Sequence, residues 1–310
     1  MKVSFIVTTY NLPVPLLSEC LRSIMKLSLS PEEREIIVID DGSDLSPLME
    51  LQDLCDDLIY LRQPNRGVSE ARNMGIRVAS GDYIQFVDGD DKLITAPYEH
   101  CLDLVRYHNP DIVVFQISSS ENQKTSFNFD GPMSGGEYMR NHNLHGTACG
   151  MIFKRSILGE LRFTPNTRHE DEEFVPLLML RAERLFLGDC AAYYYRKRSG
   201  SFMHTASPEH YNKRLSDMEH VILRLNGIAD TLPTPDRLAL QRRVAQLTMD
   251  YLYNTIRFTH SRQQLDETMS RLKSKGLYPL PDKKYTRKYQ FFRKTIDTRI
   301  GREMMLLLLR

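Results

Sequence analysis

The feature that most constrains this chain is a rhythm in its first ninety residues. Short apolar runs, each ending in a polar cluster, alternate with stretches of helical spacing. Val3-Ser4-Phe5-Ile6-Val7 runs into Thr8-Thr9-Tyr10-Asn11. Glu35-Ile36-Ile37-Val38-Ile39 runs into Asp40-Asp41-Gly42-Ser43, and Tyr83-Ile84-Gln85-Phe86-Val87 into Asp88-Gly89-Asp90-Asp91. Leu58-Ile59-Tyr60-Leu61 is a further strand candidate. Between them, Leu16 to Met25 and Val68 to Val78 have helical spacing, and Ser46-Pro47 opens another helix with proline at its first position. Strands that are apolar throughout, rather than at alternate residues, are buried on both faces. Their alternation with helices predicts an α/β fold with a mostly parallel sheet covered by helices on both faces. Ligands of such sheets bind beyond the carboxyl ends of the strands. The three polar clusters are therefore expected to meet at one rim.

Further along, Ile112-Val113-Val114-Phe115, Gly150 to Phe153 and Ala191 to Tyr195 read as strands, and Gly131 to Gly136 as a loop. Helices are expected from Ser207-Pro208 onward. Leu215, Met218, Ile222 and Leu225 keep helical spacing, as do Leu240, Val244, Leu247 and Tyr251. The expected division is an α/β domain over residues 1–205 and a helical C-terminal extension over residues 206–310.

Charge sharpens that division. The whole chain carries a net charge of +1, which gives no reason to expect nucleic acid as a partner. From Lys273 to Arg310, however, eleven Lys and Arg stand against three Asp and Glu, so this tail is +8 and the rest −7. Ile296, Ile300, Met304 and Leu308 lie four apart within it. The pattern predicts a basic amphipathic helix that lies on an anionic membrane surface, or packs on its own domain or a second subunit. No run of about 18 apolar residues is present to span a bilayer. Lys2 leads straight into a strand, so no signal peptide is read and a cytoplasmic location is expected, with peripheral contact at the inner face of the plasma membrane. Cys20, Cys55, Cys101, Cys149 and Cys190 form no C-x-x-C pair and are expected to be reduced thiols.

The acidic cluster Asp88-Gly89-Asp90-Asp91 is the sharpest chemical signal. Mg and Mn are hard cations that bind carboxylate, water and phosphate oxygens. Two carboxylates at a strand end can hold such a cation against a diphosphate, and the cation offsets the charge that develops as the diphosphate leaves. An Asp-x-Asp triplet alone is more often a solvated turn. Asp40-Asp41, at an upstream strand end, can accept a hydrogen bond from a base N–H or a ribose hydroxyl, but taken alone it reads more readily as an Asp-Gly turn.

Five segments then occur in one order: Phe5-Ile6-Val7-Thr8-Thr9-Tyr10-Asn11; Ile37-Val38-Ile39-Asp40-Asp41-Gly42-Ser43; Asn65-Arg66-Gly67-Val68-Ser69-Glu70-Ala71-Arg72-Asn73; Gly81-Asp82-Tyr83-Ile84-Gln85-Phe86-Val87-Asp88-Gly89-Asp90-Asp91; and His169-Glu170-Asp171-Glu172-Glu173-Phe174. Together they resemble glycosyltransferase family 2, inverting enzymes of the GT-A (Rossmann-like) fold, over about residues 1–205. The resemblance implies a nucleotide-sugar donor, UDP-sugar being the commoner choice, and a saccharide or lipid-linked acceptor, often in cell-surface polysaccharide synthesis. It implies that Thr8, Tyr10 and Asp41 contact the nucleotide base and that Arg72 lies near base or phosphates. Asp88 would touch ribose or metal, and Asp90 would hold Mn or Mg. Asp171 would be the general base, with Glu170 the alternative. The chain departs from many members in having Thr8-Thr9 where a proline precedes the Tyr-Asn pair.

Inverting transfer needs one carboxylate to take the acceptor proton, and no protein nucleophile. Glu170 to Glu173 also suit the positive end of a helix, which is the plainer role for Glu172 and Glu173. The segment Arg196 to His204 follows a tyrosine-rich strand; Arg198 and His204 are candidates for phosphate or metal contact, or else part of a solvated basic turn. Gly146 to Gly150 resembles the acceptor-facing segment of the family, and reads as readily as an ordinary loop leading into a strand. Two rival functions stay open. A sugar-nucleotide-forming nucleotidyltransferase would need a Gly-rich basic loop after the first strand, and Thr8 to Pro15 contains no Gly, Lys or Arg. A non-catalytic module would bind membranes or partners through the tail.

Overall fold

The computed structural model describes residues 1–121, 126–198 and 207–309. Its elements are β1 (Val3–Thr9), α1 (Val14–Met25), β2 (Arg34–Asp40), a 3-10 helix (Pro47–Asp57) and β3 (Leu58–Arg62). Next come α2 (Val68–Val78), β4 (Tyr83–Asp88), β5 (Lys92–Leu93), α3 (Thr95–His108), β6 (Ile112–Ser118) and β7 (Phe129–Met133). They are followed by α4 (Gly135–Asn141), β8 (Met151–Lys154), α5 (Glu170–Met179) and β9 (Leu185–Tyr194). Then come α6 (Pro208–Ala229), α7 (Thr234–Thr259), α8 (Arg262–Ser274), α9 (Arg287–Ile296) and α10 (Arg299–Leu308). The chain forms two compact units, Met1–Tyr138 with His145–Ser201, and Met139–Leu144 with Phe202–Arg310.

The first unit is one mixed sheet flanked by helices, of the GT-A kind, with strand order β3-β2-β1-β4-β8-β6-β9-β5 and β7 paired to β9. β3, β2, β1 and β4 are mutually parallel. β8 runs antiparallel between β4 and β6. The apolar runs behave as their composition requires: Phe5, Ile6, Val7, Ile36 to Ile39, Ile84, Phe86 and Val87 are all buried. Register then places the polar clusters. Thr9 lies opposite Asp40, and Thr8 opposite Asp88. The three clusters therefore leave the sheet side by side at one rim.

Two local expectations are corrected. The helix opened by Ser46-Pro47 is a 3-10 helix with a kink at Leu51. Among its residues only Pro47, Leu51 and Leu54 are buried, too few for a continuous α-helical face. Residues 131–136, read as a loop, contain the end of β7 and the start of α4. β7 is an exposed edge strand, so it carries none of the apolar run that marks its neighbours.

The opposite end of the parallel strands is stitched by Glu35, which is 8% exposed. Its carboxylate accepts hydrogen bonds from the Ser4 hydroxyl, the Ser80 amide (2.5 Å) and hydroxyl (2.8 Å), and the Gly81 amide (2.9 Å). Lys2 Nζ lies 3.1 Å away. Burial alone would raise this carboxyl, but the bonds from Ser4, Ser80 and Lys2 outweigh it and bring the pKa down to about 2. A carboxyl depressed on folding adds stability above its unfolded value near 4.5, and that stability is lost as pH falls toward 2. Glu35→Gln is expected to cost about 2 kcal/mol at neutral pH and much less at pH 3. Urea unfolding at both pH values checks this; an equal loss at both would show that charge plays no part.

In the second unit, α6 buries Met218, Ile222 and Leu225, and α7 buries Leu240, Val244, Leu247 and Tyr251. These are the residues whose spacing announced the helices. α7 also gathers residues 139–144 into this unit: Arg243 Nη1 donates to the Leu144 carbonyl (2.8 Å), and Gln246 Nε2 to Asn143 Oδ1 (2.9 Å). The tail departs from the expected single helix. Thr298 accepts a bond from the Gly301 amide (3.0 Å) and starts α10 afresh. Ile296 is buried at the end of α9, whereas Ile300, Met304 and Leu308 are exposed on α10. No helix among the described residues is long and apolar enough to cross a membrane.

Candidate active site

The acidic turn after β4 is held from three sides. The Gly89 amide donates to the Thr8 carbonyl at 3.0 Å, and a Cβ at position 89 would stand 2.9 Å from that same oxygen. Glycine is thus required for the turn to lie against β1. The Asp88 amide donates to the Tyr193 hydroxyl (3.1 Å), which donates to Asp91 Oδ2 (2.8 Å). Asp91 Oδ1 accepts from the Arg196 amide (2.8 Å). Burial, with the charge of Asp88 beside it, pushes Asp91 up to about 7. Asp91 is thus an internal brace, while Asp88 and Asp90 keep more exposed carboxylates, 38% and 25%.

Two arginines from the segment after β9 reach this turn. Arg196 Nε donates to the Asp90 carbonyl (2.9 Å) and its Nη2 to Glu19 on α1 (2.6 Å). Arg198 pairs with Asp90 itself, Nε at 2.8 Å and Nη2 at 2.6 Å from Oδ2. Arg198 thus contacts the proposed metal ligand; any phosphate contact is a separate matter. His204, the other candidate of that segment, lies outside the described residues.

Arg72 joins both sides of the site. It projects from α2, is buried, and lies over the rings of Phe163 (5.3 Å) and Phe86 (5.9 Å). Its Nη2 is 3.1 Å from Asp88 Oδ1; its Nη1 is 2.8 Å from Asp171 Oδ1 and 3.3 Å from Glu170 Oε1. The resemblance placed Arg72 near base or phosphates. Here the guanidinium pairs with three carboxylates, and despite its burial the charge of Asp171 then Asp88 holds it protonated.

Glu170 and Asp171 open α5, after His169, with Phe174, Val175 and Leu178 anchoring the helix in the core. Asp171 Oδ2 also accepts from the Ala148 amide (3.2 Å), in the segment resembling the acceptor-facing one. Burial raises Asp171, with Arg72 opposing. Burial and the neighbouring Asp171 push Glu170 up to about 7. A carboxylate raised toward neutrality but still ionisable suits proton abstraction from a hydroxyl.

At the rim of β1 and β2, Tyr10 is 51% exposed and Thr8 half-buried. Asp41 is buried and accepts from Gln63 Nε2 (2.7 Å) and the amides of Arg66 (2.9 Å) and Gly67 (2.8 Å). It therefore shapes the loop into α2. Gly42 adopts φ +82° with the Asn65 amide nitrogen 2.6 Å from where a Cβ would be. Sequence reading missed Glu19 and Tyr193, and named Arg196 only as the start of a basic segment. Their approach depends on β5 pairing with β9, Lys92 opposite Tyr194, which no local signal announces.

Asp88 and Asp90 offer hard oxygen donors, and Arg198 already sets positive charge against Asp90, the sign a divalent cation would bring. No group of three or more His, Cys, Asp or Glu able to hold a metal occurs among the described residues. A cation at Asp88 and Asp90 would be completed by phosphate oxygens and water.

The sequence profile of Glycosyl transferase family 2 matches residues 4–162. The minor teichoic acid biosynthesis protein GgaB of Bacillus subtilis is 30% identical over 216 residues, 66% of this chain but only 24% of its own length. Among solved structures, Staphylococcus aureus TarS 1–349 in complex with UDP-GlcNAc superposes with a TM-score of 0.59 at 19% identity, covering 96% of this chain and 90% of that one. The mannosyltransferase PcManGT of Pyrobaculum calidifontis, in complex with GDP-Man and Mn2+, gives 0.59 at 15% identity over 99% and 87%. At these identities the structural likeness bears on the fold alone.

Proposed function

The chain belongs to glycosyl transferase family 2, and on that premise we propose that it moves a sugar from a nucleotide-diphosphate donor, with inversion, to a hydroxyl of a saccharide or lipid-linked acceptor. The supporting observation is the shared guanidinium of Arg72, which ties Asp88 at a strand end to Asp171 at a helix start. One carboxylate faces the donor side and the other the acceptor side of a single charge network. A UDP-sugar is the favoured donor, and cell-surface polysaccharide synthesis the favoured setting, given the relative named for teichoic acid biosynthesis. Neither rival reading gains support from the residues at the rim.

In this reading the nucleotide lies over the rim of β1 and β2, with Tyr10 offering an exposed ring face and Thr8 a hydroxyl. Asp41 fixes the loop that forms one wall and keeps a lone pair for the base. Asp88 takes ribose or metal, and Asp90 holds Mn or Mg. The cation, when bound, screens the diphosphate and stabilises it as a leaving group. Asp171 accepts the proton of the attacking hydroxyl, with Glu170 as the alternative base. Arg198 turns from Asp90 toward the diphosphate, and His204 is a further candidate for phosphate or metal contact. The α/β and helical parts divide near residue 205 into a transferase domain and an extension. Peripheral contact with the inner face of the plasma membrane through the basic tail completes the reading.

The test is thermal shift with UDP-, GDP- and TDP-sugars, each with and without Mn. A ligand at a hundredfold its Kd adds about 2.7 kcal/mol to stability. One nucleotide class is expected to raise the melting temperature, more with Mn than without, and Asp90→Ala is expected to remove only the Mn-dependent part. An equal Mn increment in that variant would move the metal off Asp90.

A further inference from the structure

We propose that α9 and α10 form a foot that seats on an anionic lipid bilayer, α10 by an apolar stripe and α9 by a basic aromatic face. This rests on the reading of peripheral membrane contact, not on the sugar-transfer chemistry. The stripe is Ile300, Met304, Leu307 and Leu308, at i, i+4, i+7 and i+8, and these side chains are 77%, 47%, 63% and 74% exposed. One helical face of about 100° carries all four. The other side of α10 is satisfied in its own unit, since Gly301, Met305 and Leu306 are buried. The helix is therefore apolar on two faces, and only one has a partner among the described residues.

α9 supplies the charge. Arg287, Phe291 and Lys294 fall at i, i+4 and i+7 and are exposed, Phe291 at 70%. Tyr289, Phe292 and Ile296 anchor the opposite side. Lys283, Lys284 and Arg299 are also exposed. Among the described residues none of these five, Lys283, Lys284, Arg287, Lys294 and Arg299, has an acidic partner within 4 Å, whereas Arg293 is taken by Asp282 and Arg262 by Glu303. An exposed apolar stripe beside unpaired cations suits the interface of an anionic bilayer, where apolar side chains enter the acyl boundary and cations meet lipid phosphates. A protein partner would have to match both features; a bilayer supplies both at once.

The test is co-sedimentation of the full chain with phosphatidylcholine vesicles, with and without phosphatidylglycerol. Binding is expected only to the anionic vesicles, and to fall as salt rises. Ile300→Glu with Leu308→Glu, and separately Lys284→Gln with Arg287→Gln and Lys294→Gln, should each lower the partition coefficient about tenfold or more. Both variants alter exposed side chains, so their melting temperatures should match the parent. They should also keep the parent's melting shift with nucleotide-sugars, which separates failure of the foot from failure of the donor reading. The proposal is overturned by three results: no binding to either vesicle, binding unchanged in both variants, or a dimer of the parent chain that Ile300→Glu with Leu308→Glu converts to monomer. The last would assign the stripe to a second copy of the chain.

Discussion

Asp171→Asn is expected to lower the rate of sugar transfer by about 10²- to 10⁴-fold, the range for removing a positioned general base. The substitution keeps shape and one acceptor oxygen, so the bond from Arg72 can persist while the one from the Ala148 amide, accepted by the other oxygen, is lost. Arg72 also retains Asp88 and Glu170. The melting temperature should therefore stay within a few degrees of the parent. Donor binding, read by thermal shift, should be unchanged. The pH profile adds a second check. The base must be ionised, so the rate should rise with pH through the raised pKa values of the Glu170 and Asp171 pair, Glu170 standing at about 7. Their titrations are joined, so that limb belongs to the pair. Asp171→Asn transferring at the parent rate would move the base to Glu170, where Glu170→Gln should then carry the loss.

Arg72→Met has the largest expected effect on the fold. Methionine matches much of the length and suits the space between Phe86 and Phe163. It leaves Asp88, Glu170 and Asp171 without their shared cation. Breaking a buried ion network by removing one partner costs about 3–5 kcal/mol. In a domain of this size that corresponds to about 6–20 °C in melting temperature. The sign with pH is fixed. Carboxyls raised above their unfolded values are protonated below those values and cost nothing there. Their cost grows as pH rises from the unfolded values to the folded ones and is constant above them. The deficit of Arg72→Met should therefore be small at pH 4.5 and grow toward pH 8. Transfer should fail as well, because Asp88 and Asp171 lose their common anchor. A melting temperature equal to the parent at pH 8 would remove Arg72 from its place as the hub.

The reach of the sequence can be judged from these residues. The rim was legible because three continuous apolar runs each stopped at a polar cluster, and burial on both faces admits few other arrangements for such runs. α2 was legible to the residue from its spacing. β7 and α4 were not, since an exposed edge strand has no apolar run and two glycines are a poor helix start. The break between α9 and α10 was hidden by residues spaced four apart across it. Only the cap at Thr298 separates Ile296, turned inward, from Ile300, turned outward. The carboxylates Asp88, Glu170 and Asp171, named from the sequence, come together around Arg72. Arg72 and Arg198 were named too, but not that they pair with carboxylates of the site, and Tyr193 was not named, because these side chains arrive from elements far away in the chain. A spacing rule reads neighbours in sequence, whereas a guanidinium serves neighbours in space.

The placement of β8 between β4 and β6 also sets an order of events during synthesis. β1 to β4 connect through short helical crossovers and can pair as soon as they are made. β4 then waits some seventy residues for its other neighbour, Tyr83 pairing with Lys154. Contacts at such separation form late, after the local ones have paid the entropy of closing the chain. Until α5 emerges, Arg72 has only Asp88 to meet. A nascent chain at that stage would hold a half-assembled charge network and an open sheet edge at β4, a surface on which chaperones act. Glu170, Asp171, Arg196 and Arg198 are translated after the strand that closes the sheet at β4, so a ribosome-bound chain can become protease-resistant in its first four strands well before it can turn over a single sugar.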